Sequence, residues 1–505
     1  MLNIFGGGKP DHPMADLKEA RRILEEVPAQ DAFKALEELA HWLESVRTVE
    51  GFKPDYRLQL VLLVDDAAQV HVRKQQRDYL SSARLSRFQE QRLWNAIHGY
   101  WKQSALAFES CVETFVSGAK GADALKSGLP LLTVRALRSL AAQIKWQYIR
   151  YGPFDGSLWG HVARVYAFAE GQKIAGAKAV VQAGLPGEST PEQEFLRAVM
   201  LAASSPDSLL PVEMELAERL IAHFSTSFKL AMDQQPDIAY WIDLTTDRPP
   251  LRLARPPQHA PTLRFFAAGK ATQELVEMAR SIESSHAMPA GVSLGGTYEP
   301  EAVLEVLRHL ALYWSPTPPE RRHQRHRVKS RLLVAPGFDG IMSVLDPSTT
   351  LDFDSNLIEN WIVEDVSAGG FGASIPHIKG EWLGIGCLTG LQPEGGDNWV
   401  IGIIRRLNRD ARQQGSVGIQ SLGRTAALVT LRAQNGDEHQ AILLNPSVTA
   451  IEAQLLVRPD VHVAGQTFEF NHGAMTVLLL PSAVQERGGD FELISARQMI
   501  RDTSD

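Results

Sequence analysis

The chain has 505 residues, too many for one comfortable core, so two or three domains are expected. Hydrophobic residues make up 44% and charged residues 22%, which is ordinary globular composition. A net charge of −8 argues against a DNA or RNA surface, and no apolar run nears the roughly 18 residues a membrane helix needs, so no membrane insertion is expected.

Residues 1–15, from MLNIFGGGKP, lack a basic start followed by a long apolar stretch. They read as a flexible terminus and no signal peptide. The only cysteines are Cys111 and Cys387. Two isolated thiols imply no disulfide or Cys-based metal framework and a reducing compartment, the cytoplasm by default.

Residues 16–314 read as a helical domain. Phe33, Leu36, Ala40, Leu43 and Val46 recur at three and four, as one buried helix face should. Further helices are expected near 55–80, 84–117, 129–150, 157–184, 190–204, 210–225, 270–284 and 300–314. LPLL and TPEQEF carry start signals, an early Pro or acids in the first turn. SLWGHVARVYAFAEG has a Trp and a Tyr seven apart, as a helical repeat would, but the period of about 34 residues is missing. Residues 235–268 hold paired prolines and short apolar runs, read as loops with two short strands.

SPTPPE, 315–320, reads as extended linker, and the arginine-rich linker runs 315–331. Beyond it the texture is β. DNWVIGIIRRL, SVGIQSL, AALVTLRA, HQAILLN, IEAQLLVR, TFEFNH and MTVLLLP are short, rich in Val, Ile and Leu, and separated by Gly, Asn, Asp and Pro. Such a series suggests a barrel or sandwich. The fold class is therefore α+β and multidomain: an N-terminal all-α, repeat-like helical bundle, then an antiparallel β-barrel. A barrel over 332–432 is followed by β-like sequence over 433–505, either an extension of it or a second small β-domain.

Two stretches carry chemistry. Arg321, Arg322, Arg325, Arg327, Lys329 and Arg331 crowd the junction with no acid among them. Their repulsion is unfavourable unless solvent or an anion screens it. The plain reading is a solvated basic linker. The sharper one is an anion site, because a guanidinium fork grips phosphate or guanine at two points. The second stretch is EDVSAGGFGA, 364–373, where a strand ends in Asp-Val-Ser and side chains then nearly vanish. The plain reading is a capped turn.

Together, Arg321-xxx-Arg325 before a barrel and Asp365-x-Ser367-x-x-Gly370 at a strand end resemble the PilZ domain family, receptors for the bacterial second messenger cyclic di-GMP. VIGIIRRLNRDARQQGSVGIQSLG, 400–423, is similar to that family's late strand pair. The resemblance covers about 320–425. It implies that Arg321 and Arg325 wrap the ligand, and that Asp365 and Ser367 bond a guanine edge. It also implies that Gly369 and Gly370 let a flat base approach the backbone and permit a positive φ. A second Arg-xxx-Arg, Arg327 to Arg331, overlaps the first, so Arg322 and Arg327 are candidates for the same task. Residues 346–357 read as an insertion.

Other motifs carry less. GVSLG, 291–295, fits a nucleophile-elbow pattern but lacks a strand before it and a helix after it. GGGK at 6–9 lacks phosphate-loop spacing. His323 and His326 have no metal-ligand companions. The expected function is a non-enzymatic cyclic di-GMP effector without cofactor or metal. A protein partner would act through the helical domain. The alternative is a scaffold whose barrel no longer binds nucleotide.

Overall fold

The computed structural model describes residues 10–81, 85–182, 187–317, 323–346, 358–378, 382–412, 414–447, 450–463, 465–472 and 475–501. The chain divides into two compact units. The first is 1–150 with 154–319, and the second is 151–153 with 320–505.

The helical unit begins with α1 (Leu17–Glu25), α2 (Ala32–Thr48), α3 (Pro54–Ser81), α4 (Arg87–Val116) and α5 (Leu129–Ile149). It continues with α6 (Ser157–Gly171), the short hairpin of β1 (Ala179–Val180) and β2 (Glu188–Ser189), then α7 (Pro191–Ala203) and α8 (Pro211–His223). Local chemistry sets the ends. Thr190 and Gln193 form a reciprocal capping box at α7, and Pro stands in its first turn. On α2 the buried face is Ala32, Ala35, Leu36, Leu39, Leu43 and Val46. Phe33 lies beside that face, under the Arg92 guanidinium at 3.9 Å.

The helix expected over 157–184 stops at Gly171. Lys173 turns left-handed at φ 59°, and Ile174 N donates back to the Ala169 carbonyl at 2.9 Å, which closes the helix end. The proline-rich stretch holds more strand than its sequence suggests. A four-stranded sheet runs in the order β3 (Lys229–Ala231), β6 (Leu263–Ala267), β4 (Tyr240–Asp243), β5 (Leu251–Arg252). Its centre is β6, buried along its whole length, which the surrounding prolines mask. Helices α9 (Ala271–Ser285) and α10 (Pro300–Trp314) complete the unit. Among the described residues no helix is long and apolar enough to cross a membrane.

Two buried ionic networks tie the helices. Asp65 accepts from Tyr100 Oη at 2.5 Å and Ser104 Oγ at 2.9 Å, and pairs with Arg135. Glu194 is held by Arg138 at 2.6 Å and Arg197 at 3.2 Å. Such pairs are costly to break from one side, because the partner is left as a buried, unpaired charge.

The second unit is two closed antiparallel barrels. The first uses β7 (His326–Pro336), β8 (Glu359–Ser367), β9 (Gly370–Ile375), β10 (Leu388–Pro393), β11 (Val400–Arg409) and β12 (Gly415–Gly423). Around it the order is β7-β8-β9-β12-β11-β10 and back to β7. The second uses β13 (Ala426–Ala433), β14 (Glu438–Leu444), β15 (Glu452–Val457), β16 (Phe468–His472), β17 (Met475–Arg487) and β18 (Glu492–Arg501). Its order is β13-β14-β15-β18-β17-β16, closing on β13. The two share one connectivity, strand for strand. The stretch after the first barrel is thus a closed barrel that starts at Ala426. The basic run from Arg327 onward is strand rather than linker, since β7 opens at His326.

A shared core joins the barrels. Ala335, Leu388, Ile401 and Ile403 from the first pack with Ile442, Leu444, Leu456, Phe491 and Leu493 from the second. Between them sits α11 (Gly337–Leu345), a helix not expected from sequence, which contributes Phe338 and Ile341. Asp490 Oδ2 accepts from Phe338 N at 2.7 Å and so caps α11 from the second barrel.

Candidate functional site

The corner where the chain enters the first barrel gathers the described motif residues. β7 and β8 pair with His326 opposite Val366 and Arg327 opposite Asp365. Ala368 and Gly369 make the turn, across which Ser367 faces Gly370. Two irregularities flank Asp365: one between Arg327 and Ser330 against β8, the other between Val363 and Asp365 against β9. A bulge re-aims the side chains beyond it. Val363 is buried in the barrel, whereas the Asp365 carboxylate lies over Gly372. A Cβ on Gly372 would meet Asp365 Oδ1 at 2.8 Å, so this seat exists only because residue 372 has no side chain.

Arg325 Nη1 donates to Asp365 Oδ2 at 3.1 Å and stands 3.0 Å from Oδ1. Oδ1 is buried and has no hydrogen bond of good geometry among the described residues, so the carboxylate keeps capacity for another donor. By backbone register Arg327 is the partner of Asp365, yet the ion pair goes to Arg325. Ser367 Oγ donates to the Gly370 carbonyl at 3.3 Å. A Cβ on Gly369 would meet His323 Cδ2 at 2.9 Å, so the imidazole rests on the turn. Gly370 adopts φ +151°, and a Cβ there would lie 1.9 Å from the Ile419 carbonyl oxygen of β12. Arg321 and Arg322 lie outside the described residues.

Beside this corner a groove of about 820 Å³ opens at the end of the barrel, within the size range of small-molecule sites. Gln324, His326 and Val328 line it, and Arg325 and Arg327 between them do not. Successive strand side chains point to opposite faces, so the ion pair and the groove occupy two sides of one ribbon. His323 and Ser367 belong to the groove wall and touch the turn, so they join the two sides. Phe371, Pro393 and Val400 make part of the groove apolar; Asn398, Ser421 and Arg424 add polar groups. No carboxylate is among its described lining residues, and Arg424 gives it a positive charge, which suits an anion.

Residues 18–236 match the family model of the cyclic-di-GMP receptor FimW, N-terminal domain. No curated protein matches the chain. The match runs from α1 through β3 and lies in the helical unit, away in sequence from the corner at β7 and β8.

Three residues of this corner escaped the sequence reading. Gly372 follows the motif by two residues and looks like one more turn glycine. Asn398 and Arg424 belong to the flanks of the late strand pair, where a lone Asn or Arg carries no local signal. Only barrel closure brings both to the groove.

Proposed function

We propose that this chain is a cyclic di-GMP receptor that takes its ligand at the entry corner of the first barrel, a PilZ-like barrel. The observation that carries the reading is the Arg325–Asp365 contact at 3.0 Å. Two motif residues far apart in sequence, expected to hold one ligand, meet beside a groove with no carboxylate among its described lining residues. The match of 18–236 to a cyclic-di-GMP receptor family supports the same ligand from a separate stretch of chain.

The ligand presents two phosphates and two guanine edges. Arg325, with Arg321, Arg322 and Arg327 from the same cluster, grips phosphate or guanine O6 and N7 through planar forks. Asp365 accepts the N1 and N2 protons of a guanine, and its Oδ1, paired with Arg325 at 3.0 Å but without a hydrogen bond of good geometry, is the acceptor for one of them once Arg325 turns to the ligand. Ser367 adds a hydroxyl, and Gly369, once the exposed His323 ring swings aside, keeps the turn low enough for a base to lie on it. Arg325 and Asp365 are both part-exposed, so exchanging their mutual contact for ligand contacts costs about 1 kcal/mol or less.

The protein acts as a receptor rather than an enzyme, in the cytoplasm. Binding at 323–327 alters the segment preceding β7, and a protein partner reads the result through the helical unit. The ligand drives such a change only as far as it prefers one state over the other. Small-angle scattering unaltered by saturating ligand would sink this coupling and leave binding intact.

The direct test is isothermal titration of the full chain with cyclic di-GMP, beside GTP and cyclic GMP. Selective binding of about −8 kcal/mol or better is expected, lost in Arg325→Ala and in Asp365→Ala. No binding by the native chain overturns the function. Undiminished binding by both variants overturns the site.

A further inference from the structure

The second barrel copies the connectivity of the first but not its charges. The outermost β7–β8 pair is His326 with Val366, and the outermost β13–β14 pair is Ala426 with Leu444. Laid on each other, Asp365 falls on Leu443, Arg325 on Thr425 and Arg327 on Ala427. The second corner therefore has no pair to grip a guanine or a phosphate.

One polar device remains there. Asn445, in the place of Ser367, accepts through Oδ1 from Arg424 N at 2.8 Å and Thr425 N at 3.4 Å. Its own N–H donates to the Thr425 carbonyl at 2.8 Å. From the first barrel, Asn398 Nδ2 donates to the Arg424 carbonyl at 3.1 Å. Both barrels thus pin the backbone of Arg424. Its side chain is exposed, lines the groove, and makes no ion pair or hydrogen bond among the described residues.

Arg424 has a defined place in the ring. It follows β12, which stands three strands from β7 whichever way the first barrel is counted. Arg424 therefore faces Gln324, His326 and Val328 of the entry segment across the groove, from an opposed strand. A guanidinium on a fixed backbone loses less freedom on binding than one on a loose loop.

We propose that Arg424 binds a phosphate of the cyclic dinucleotide from the side facing the entry strand, and that Asn445 is the residue positioning it. The inference rests on the cyclic di-GMP reading above. It makes the second barrel part of the ligand site of the first: a barrel without a guanine-gripping pair of its own holds, through Asn445, a cation carried by the connection between the two.

The test is titration of the full chain with cyclic di-GMP, comparing the native protein with Arg424→Ala, Arg424→Lys, Asn445→Ala and the Arg424→Ala/Asn445→Ala pair. Loss of one charge-assisted contact weakens binding by about tenfold or more in Arg424→Ala, with the ligand-free melting temperature unchanged. Arg424→Lys recovers part of the loss, because phosphate accepts a point charge and a bidentate guanine contact would not. Asn445→Ala weakens binding alone and adds nothing in the Arg424→Ala background, which a merely structural role would not produce. Affinity of Arg424→Ala within twofold of native, with Arg325→Ala inactive, overturns this inference and leaves the receptor reading standing. Failure of the native chain to bind overturns both.

Discussion

Gly370 provides the sharpest structural test. In a binding motif its glycine is expected for the sake of the ligand, yet here the barrel itself demands it. A Cβ would stand 1.9 Å from the Ile419 carbonyl oxygen, when real Cβ contacts under 3.0 Å essentially never occur. Relief requires β9 to move from β12 by about 1 Å, which disturbs the ladder at Gly370–Gln420 and Phe371–Ile419. An L-residue at φ +151° adds backbone strain of about 1–3 kcal/mol, and a weakened ladder bond about 1 kcal/mol more. Gly370→Ala should therefore destabilise the barrel by about 2–4 kcal/mol, a drop of roughly 5–15 °C in its melting temperature. Gly369→Ala is the control. Its Cβ meets only the edge of the exposed His323 ring, which swings aside, so a change within about 0.5 kcal/mol is expected. Hydrogen exchange read on β9 and β12 peptides, together with thermal melts, separates the two. Native-like exchange and melting in Gly370→Ala would refute the argument that strand packing, rather than ligand approach, requires this glycine.

Two predictions concern the helical unit. Burial alone would raise the Glu194 carboxyl, but Arg138 and Arg197 outweigh it and hold it at about 2, against an ordinary 4.5. The depressed folded-state value stabilises the unit above pH 4.5, by about 3 kcal/mol, and that contribution is lost as the pH falls through 4.5 toward 2. Helical circular dichroism melts should thus drop more steeply below pH 4.5 in the native protein than in Glu194→Gln; parallel pH profiles would contradict this. Cys111 is buried on α4, and desolvation pushes its thiol up to about 12. At pH 8 a thiol reagent should label it only as fast as the helical unit opens, with denaturant accelerating the rate; rapid labelling of Cys111 under native conditions would show that its environment is misread.

Much of the helical half was legible because helix signals are local. Pro54, Pro191, Pro211 and Pro300 open helices that end close to where periodicity placed them. Where the reading ran on past Gly171, a left-handed residue and a backward hydrogen bond ended the helix, and neither has a strong residue signature. The four-stranded sheet was under-read for a similar reason: β6 is recognisable only once β3 and β4 lie on either side of it.

The sequence by itself determined the order of texture, helices then strands, and marked the residue types gathered at the entry corner. Asp365, Ser367 and the glycine pair stand within six residues, so residue type and spacing declare them, whereas Arg325 meets Asp365 only through the pairing of β7 with β8. Tertiary structure alone decided how β9 meets β12 and β15 meets β18, which closes each set of strands into a ring. It also decided that α11 fills the space between the rings, and that Arg424 reaches a groove begun a hundred residues earlier. The physical reason is that strand pairing across a barrel is bought by burial among residues distant in sequence. Arg424 and Gly372 have meaning only through what that closure places beside them.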